Sequence, residues 1–362
     1  MSDVSKYNQM EHGYNVIGLM SGTSLDGLDI AICSFLENKS SWSFSISYAE
    51  TVKYNKIWKS RLALSHKLMG NDLIKLDRDY GNYIGDLVNG ILKKTGSSPL
   101  MVASHGHTVY HLPKSGYTLQ IGHGANISAV TCLPVICDFR STDVALGGQG
   151  APLVPVGDKL LFSEYDACLN LGGFANISFD IDGLRRACDI TPVNIILNRF
   201  AESEGLLYDK DGLIGRRGKL DKKLLDNIDQ LEYYKSDLPK SLSREWLEEV
   251  FIPELALVSC SENDKLHTVY HHIARQIAET INQNNIKKVL VTGGGAYNSF
   301  LLELIKKNTS SEIILPERKI IDFKEALVFA FLGLLKFLNR INCLASVTGA
   351  SKDSSCGAIY KA

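Results

Sequence analysis

The stretch GLMSGTSLDGLD, residues 18–29, decides the fold. It lies between two apolar runs, Val16-Ile17 and Ile30-Ala31-Ile32, and reads as strand, tight turn, strand. Glycine lets a backbone take positive φ and approach a ligand closely, and successive amides in such a turn can cradle an anion. Gly22 and Gly27 shape the turn, and Ser21, Thr23 and Ser24 add hydroxyl groups. Asp26 and Asp29 are out of place beside a phosphate unless a cation stands between them. Mg²⁺ takes oxygen ligands and commonly bridges carboxylates and phosphates, often through water. Gly22, Thr23, Ser24, Leu25, Asp26, Gly27, Leu28 and Asp29 therefore form a candidate phosphate hairpin, with Asp26 and Asp29 as candidate Mg²⁺ ligands. The stretch is no P-loop, because GxxxxGK[ST] is absent. Nor is it a dinucleotide fingerprint, which needs GxGxxG leading into a helix.

The pattern recurs. ACLNLGGFANISFDI, residues 167–181, is again strand, glycine-rich turn, strand, with Gly172, Gly173 and Asn176 as candidate phosphate-side residues. A third turn, VTGGGAYNS at 291–299, follows a predicted strand over 288–292 and precedes a predicted helix over 298–307. Gly293, Gly294 and Gly295 there suit the ribose or α-phosphate end of a nucleotide at a helix N-terminus, or serve as a plain strand-to-helix connection. Two such hairpins, each heading one half of the chain, point to a duplicated α/β fold that binds a nucleotide. Elsewhere short apolar runs alternate with amphipathic segments, including predicted helices over 71–94, 193–204, 260–284 and 323–340. The glycine- and proline-rich segment 147–158 sets the expected division into residues 1–160 and 161–362.

Composition narrows the function classes. The 362 residues leave room for two domains, and 45% hydrophobic with 22% charged residues is an ordinary globular balance. A formal net charge of −1 provides no global field for nucleic acid or an anionic membrane. The polar N-terminus lacks the apolar core of a secretory signal. The apolar run 326–338 is too short to span a bilayer and contains Lys336. Eight cysteines without a CxxC pair read as reduced thiols of a cytoplasmic protein. His271 and His272, adjacent in a predicted helix, point in different directions and make a poor metal pair. Lys240 and Arg244 read as solvated loop charges.

In order along the chain, GLMSGTSLDGLD, ASHGHT (103–108), DFRSTDVALGGQGAPLVP (138–155), NLGGFANIS (170–178), VTGGGAYN (291–298), EALVFA (325–330) and VTGA (347–350) resemble the motifs of the anhydro-N-acetylmuramic acid kinases, and the resemblance covers essentially the whole chain. It implies the sugar kinase, actin and heat-shock ATPase superfold, with two related ribonuclease H-like α/β domains and an interdomain cleft. It implies ATP and Mg²⁺ as cofactors and 1,6-anhydro-N-acetylmuramic acid, a cell-wall recycling product, as substrate. Water attacks C1 of the anhydro ring while O6 takes the γ-phosphate, giving N-acetylmuramic acid 6-phosphate in peptidoglycan recycling. A homodimer is a further implication, although no residue identifies an interface.

Residue roles follow from the same resemblance. The family's general base lies in an Asp-Thr-Gly-Pro-Gly-Asn motif, matched here by Asp189-Ile190-Thr191-Pro192-Val193-Asn194. Asp189 takes the base role and Asn194 a substrate-binding role, while Ile190, Thr191 and Val193 depart from the motif. Asp189 also reads as an N-cap before the helix expected from Val193. Arg140 suits the substrate's lactyl carboxylate, or an internal salt bridge to Asp138 or Asp143. His105, expected between a strand and a turn, either hydrogen-bonds sugar or is satisfied within its loop. Glu325, opening the last apolar helix, either complements the helix N-terminus or binds substrate. His107 replaces the family's glutamine and His123 its aspartate, so the substrate class extends to another anhydro-sugar or a hexose. A silent nucleotide-binding protein is the third reading, against which the presence of Asp26, Asp29 and Asp189 stands.

Overall fold

The computed structural model describes residues 13–22, 24–39 and 41–362, which fall into two compact units. The first runs up to Leu161 and includes Phe323–Ala362. Its sheet is built on β1 (Tyr14–Ser21), β2 (Gly27–Asn38), β3 (Ser41–Lys53), β4 (Met101–Leu112), β5 (Tyr117–Ile121) and β6 (Val135–Cys137). The second unit, Phe162–Asp322, holds β7 (Ala167–Leu171), β8 (Phe174–Ile181), β9 (Leu184–Pro192), β10 (Lys288–Thr292) and β11 (Glu312–Ile314). A last strand, β12 (Ala358–Tyr360), returns to the first sheet and pairs with β6.

The two sheets share one plan. In the first, the order β3-β2-β1-β4-β6 combines an antiparallel meander with parallel β4 and β6. In the second, β9-β8-β7-β10-β11 repeats it strand for strand. This is the ribonuclease H-like arrangement, so the duplicated α/β fold expected from the two hairpins, of the actin-like class that the resemblance implies, is present. Parallel strands need helical crossovers that cover both faces, and the sequence supplies them. In the second unit Val269, Tyr270, Ile273 and Ile277 of the helix Glu262–Gln283 are fully buried in one core with Leu169, Leu171, Val289 and Val291.

Phe323–Ala362 belongs with the first unit, whereas the sequence division had assigned it to the second half. The physical reason is close packing. The helix Arg318–Phe337 breaks at Phe323 (φ −121°), and its second segment lies on β1. A Cβ on Gly18 would stand 1.9 Å from the carbonyl oxygen of Ala326 and 2.9 Å from Cβ of Ala330, so only glycine lets helix and strand meet there. Lys324 pairs with Asp158 at 2.7 Å, both side chains being buried, which ties the same segment to the helix Pro155–Leu161.

Three further differences bear on function. β9 was not expected as a strand, yet it runs through Asp189 to Pro192 and ends just before the helix Asn194–Ser203. The third glycine turn does not open directly into its helix. A 3₁₀ turn, Gly294–Tyr297, intervenes, and Asn298 caps the helix Ser299–Asn308 by accepting from Leu301 N–H at 3.1 Å. The sequence pattern predicts a helix over 243–250, and helical structure from Arg244 continues beyond that to Ala256. Among the described residues no helix is long and apolar enough to cross a membrane.

Candidate active site

The first hairpin turns between Ser21 and Gly27. Its positive φ falls on Leu25 (60°), whose N–H reaches the Gly22 carbonyl at 3.4 Å, and not on a glycine. Gly27 is required for another reason: a Cβ would sit 2.6 Å from the Val52 carbonyl oxygen on β3. Among the described residues beyond its chain neighbours, a Cβ on Gly22 would meet nothing closer than Ser24 Oγ at 3.6 Å, which leaves room there for a ligand. Ser24 and Asp26 are exposed, whereas the Leu28 side chain is buried in the core and can offer a ligand only its backbone. Thr23 lies outside the described residues. Below the turn Ser21 Oγ meets Tyr54 Oη at 2.7 Å and His107 Nδ1 at 3.1 Å. His107 is thus built into the hairpin's support, and burial lowers its pKa to about 4, leaving it neutral.

Asp29 stands on β2 opposite Met20 and Thr51, and Thr51 Oγ1 donates to its carboxylate at 2.5 Å. Residues paired across a sheet share a face, so Asp29 lies on the Gly18 face, where the helix bearing Glu325 packs. Burial and the Asp29 carboxylate push the Glu325 carboxyl up, while Arg140 and Lys324 pull it down. Arg140, and Lys324 beside its partner Asp158, are the cations that offset this acid pair.

Arg140 pairs with neither Asp138 nor Asp143, which corrects the salt-bridge alternative. Its Nε and Nη2 donate to His105 Nε2 at 3.2 and 2.8 Å, and its Nη1 donates to the Gly150 carbonyl at 2.6 Å. Asp138 instead accepts from Ser141. Asp143, fully buried, accepts from Gly150 N–H and Thr348 Oγ1, each at 2.7 Å, and from the Cys343 thiol. Because His105 Nε2 accepts from arginine, its proton is on Nδ1, which donates to the Gly106 carbonyl at 2.9 Å. Both ring nitrogens are therefore engaged. His105 lies inside β4 and not at its end; β4 bulges at this point, with Gly106 at φ 75°. Burial first, then the Arg140 charge, lowers the His105 pKa to about 3, so the ring is a neutral support. Burial also lowers Arg140 to about 10, against Glu325, which leaves it protonated at neutral pH. His123 caps the helix Gly124–Thr131 by accepting from Ala125 N–H at 3.3 Å, a task that an aspartate performs equally well.

In the second unit Thr292, Asn170, Asn176 and Asp189 stand opposite one another on β10, β7, β8 and β9. They form one polar row near the carboxyl ends of the parallel strands, where open α/β sheets bind ligands. Asn176 thus lies beside the candidate base. Gly172 and Gly173 turn their carbonyls to the helix Asn194–Ser203, accepting from Asn194 N–H at 3.2 Å and Val193 N–H at 2.8 Å. The first amides of that helix are consumed by the hairpin. Asn194 itself donates from Nδ2 to the Leu171 carbonyl at 3.0 Å and lies against Gly294 and Gly295. It joins the second and third glycine turns. Gly293, at φ 82°, is excluded from bearing a Cβ by Asn170 Oδ1 at 2.4 Å.

Asp189 is a strand residue and not a helix cap. Val193 occupies the cap position, and groups from residues 233–242 hold Asp189, within β9, on three sides. Its N–H reaches the Lys240 carbonyl at 3.3 Å, its carbonyl accepts from Tyr233 Oη at 2.7 Å, and its Oδ2 accepts from Leu242 N–H at 2.8 Å. Burial raises the carboxyl above its ordinary value, with the Leu242 amide opposing. One oxygen is anchored, and a raised pKa makes a better proton acceptor at neutral pH. Sequence reading missed Tyr233 and the 240–242 backbone. Pro239-Lys240-Ser241 marks the place in the sequence, but a linear reading registers its side chains and not its backbone amides. Lys240 Nζ folds onto the Tyr233 ring at 5.0 Å.

The family model for anhydro-N-acetylmuramic acid kinase matches residues 14–362. Proteins named anhydro-N-acetylmuramic acid kinase from Shewanella sediminis and Legionella pneumophila (strain Lens) are each 32% identical. The first alignment covers 96% of this chain and 98% of the relative, the second 95% and 97%. Among solved structures, an activator of 2-hydroxyisocaproyl-CoA dehydratase from Clostridium difficile with bound ADPNP is similar over 90% of this chain and 95% of its own. It is 14% identical, with a TM-score of 0.45.

Proposed function

The chain belongs to the anhydro-N-acetylmuramic acid kinase family, and from that premise we propose that it is an ATP-dependent kinase that hydrolytically opens 1,6-anhydro-N-acetylmuramic acid and phosphorylates O6. The observation that carries the reading is Asp189: a carboxylate with raised pKa, anchored through one oxygen at the end of β9. It takes the proton of the water whose oxygen bonds to C1. The C1–O6 bond breaks, and O6 accepts the γ-phosphoryl group as ADP leaves. The product is N-acetylmuramic acid 6-phosphate.

Arg140 binds the lactyl carboxylate. Its guanidinium is fixed by His105 and Gly150, and no internal carboxylate claims it in a salt bridge among the described residues. The backbone at Gly22 suits a phosphate group, and in the second unit the turns at Gly172-Gly173 and Gly293–Gly295 suit a nucleotide. Asp29 and Asp26 have the donor chemistry for Mg²⁺, and the mutual repulsion of Asp29 and Glu325 is what a divalent cation would relieve. Bound there, Mg²⁺ would supply charge neutralisation for the phosphates. Homodimerisation is part of the proposal and is tested by light scattering.

The direct test measures ADP release from Mg-ATP with 1,6-anhydro-N-acetylmuramic acid, with mass spectrometry of the sugar. A product heavier by one phosphoryl group (HPO3) and one water meets the proposal. Turnover only on a plain hexose would move the chain to a different sugar, with His107, His123 and Thr191 as the first residues to examine.

A further inference from the structure

Behind Asp189 lies a buried polar chain that the reaction does not use directly. His272 is fully buried in the helix Glu262–Gln283, and Asp229 accepts from its Nδ1 at 2.6 Å. Arg275 Nη1 holds the other Asp229 oxygen at 2.5 Å. With its proton on Nδ1, His272 offers Nε2 as an acceptor, and Tyr234 Oη donates to it at 2.9 Å. Thr191 Oγ1 completes the chain, 3.2 Å from Tyr234 Oη and 3.4 Å from His272 Nε2. Thr191 is fully buried, so its hydroxyl depends on these partners.

Thr191 also sits at an irregularity of the sheet. Along β8 and β9, Ala175 faces Thr191 and its neighbour Asn176 faces Asp189, so Ile190 is the extra residue of a β-bulge. Without the bulge, strand alternation would put Asp189 and Thr191 on the same face. With it, Thr191 turns to the core beside Ala175, while Asp189 joins Asn176 on the opposite, polar face. Bulges next to active sites re-aim side chains in this way. The adjacent tyrosines hold both ends: Tyr233 binds the Asp189 carbonyl and Tyr234 binds the Thr191 hydroxyl.

We propose that the chain Asp229–His272–Tyr234–Thr191 is a positioning device that locks the β9 bulge and so aims Asp189. Thr191 stands where the family motif has glycine, so in this chain the bulge is fixed by a side-chain hydrogen bond. The inference rests on the base role of Asp189.

Thr191→Val, which replaces the hydroxyl by a methyl group of similar size, tests it together with Tyr234→Phe, Thr191→Ser and Asp189→Asn. The expected result for Thr191→Val and Tyr234→Phe is a loss of kcat of about 10- to 100-fold, the scale of a misplaced catalytic group, with KM for ATP unchanged. Thr191→Ser retains kcat. In an Asp189→Asn background Thr191→Val costs nothing further, because both act through one group. Wild-type kcat in both Thr191→Val and Tyr234→Phe overturns the proposal. So does an equal loss from Thr191→Val with and without Asp189, which would mark a general structural role. Near-normal turnover in Asp189→Asn alone would instead remove the base reading on which the proposal stands.

Discussion

Asp189→Asn separates catalysis from stability at one position. Asparagine keeps an oxygen that can accept from Leu242 N–H at the 2.8 Å position, and it leaves the backbone bonds to Lys240 and Tyr233 in place. What it loses is the proton acceptor. A positioned general base is worth about 10²–10⁴ in rate, or roughly 2.7–5.5 kcal/mol of barrier. Stability moves the other way. Burial raises the native Asp189 pKa above its ordinary value of 3.8, so between those two values the native state holds more protons than the unfolded chain. Stability then falls as pH rises through that window, and above it the cost of the buried charge is present. Removing the charge removes that cost. Coupled ADP release gives turnover, and thermal unfolding at pH 7 and at pH 4 gives stability. The expected outcome is a large loss of kcat, a Tm at pH 7 no lower than wild type, and a smaller Tm difference at pH 4. Near-wild-type turnover would refute the base role. A marked fall in Tm at pH 7 would refute the claim that the carboxylate is costly where it sits.

Other consequences follow from named contacts. Gly18→Ala forces a methyl group into the Ala326 carbonyl and should destabilise by about 1–3 kcal/mol or more, read by chemical denaturation. Asp143→Ala strands the Gly150 amide, at about 1–3 kcal/mol for a buried donor, leaves the Thr348 hydroxyl only its longer bond to the Leu344 carbonyl at 3.3 Å, and should also raise KM for the sugar because Gly150 holds Arg140. Arg140→Lys keeps the charge but loses the fork to His105 and Gly150; steady-state kinetics should show KM for the sugar up about tenfold, one charge-assisted hydrogen bond, with KM for ATP unchanged. His105 and His107 are held neutral with pKa values of about 3 and about 4, against 6.5 for a free ring. The unfolded chain therefore binds protons that the native state refuses, and Tm should fall as pH drops below 6.5, with a shallower fall in His107→Gln.

The sequence by itself determined the duplicated architecture. Hairpin turns rich in glycine between apolar runs are local signals, and local signals survive in a linear reading; so do the long periodic helices. The candidate phosphate and acid residues were legible for the same reason, since Gly22, Asp29 and Gly172-Gly173 lie within short motifs. Tertiary structure decided what those residues do. Gly27 and Gly293 are glycines because backbone or side-chain atoms from other strands leave no room for a Cβ, a fact of packing between distant segments. His105 became the support of Arg140 because a bulge in β4 brings two residues 35 positions apart into contact. Asp189 is a strand residue through the β8–β9 pairing, but the amide that anchors its carboxylate, Leu242 N–H, lies about fifty residues downstream, where no local propensity registers it. Residues 323–362 joined the first unit through a glycine-to-helix contact across more than 300 residues of chain. Composition and periodicity specify which face of an element is apolar; only the closed fold specifies which other face it meets.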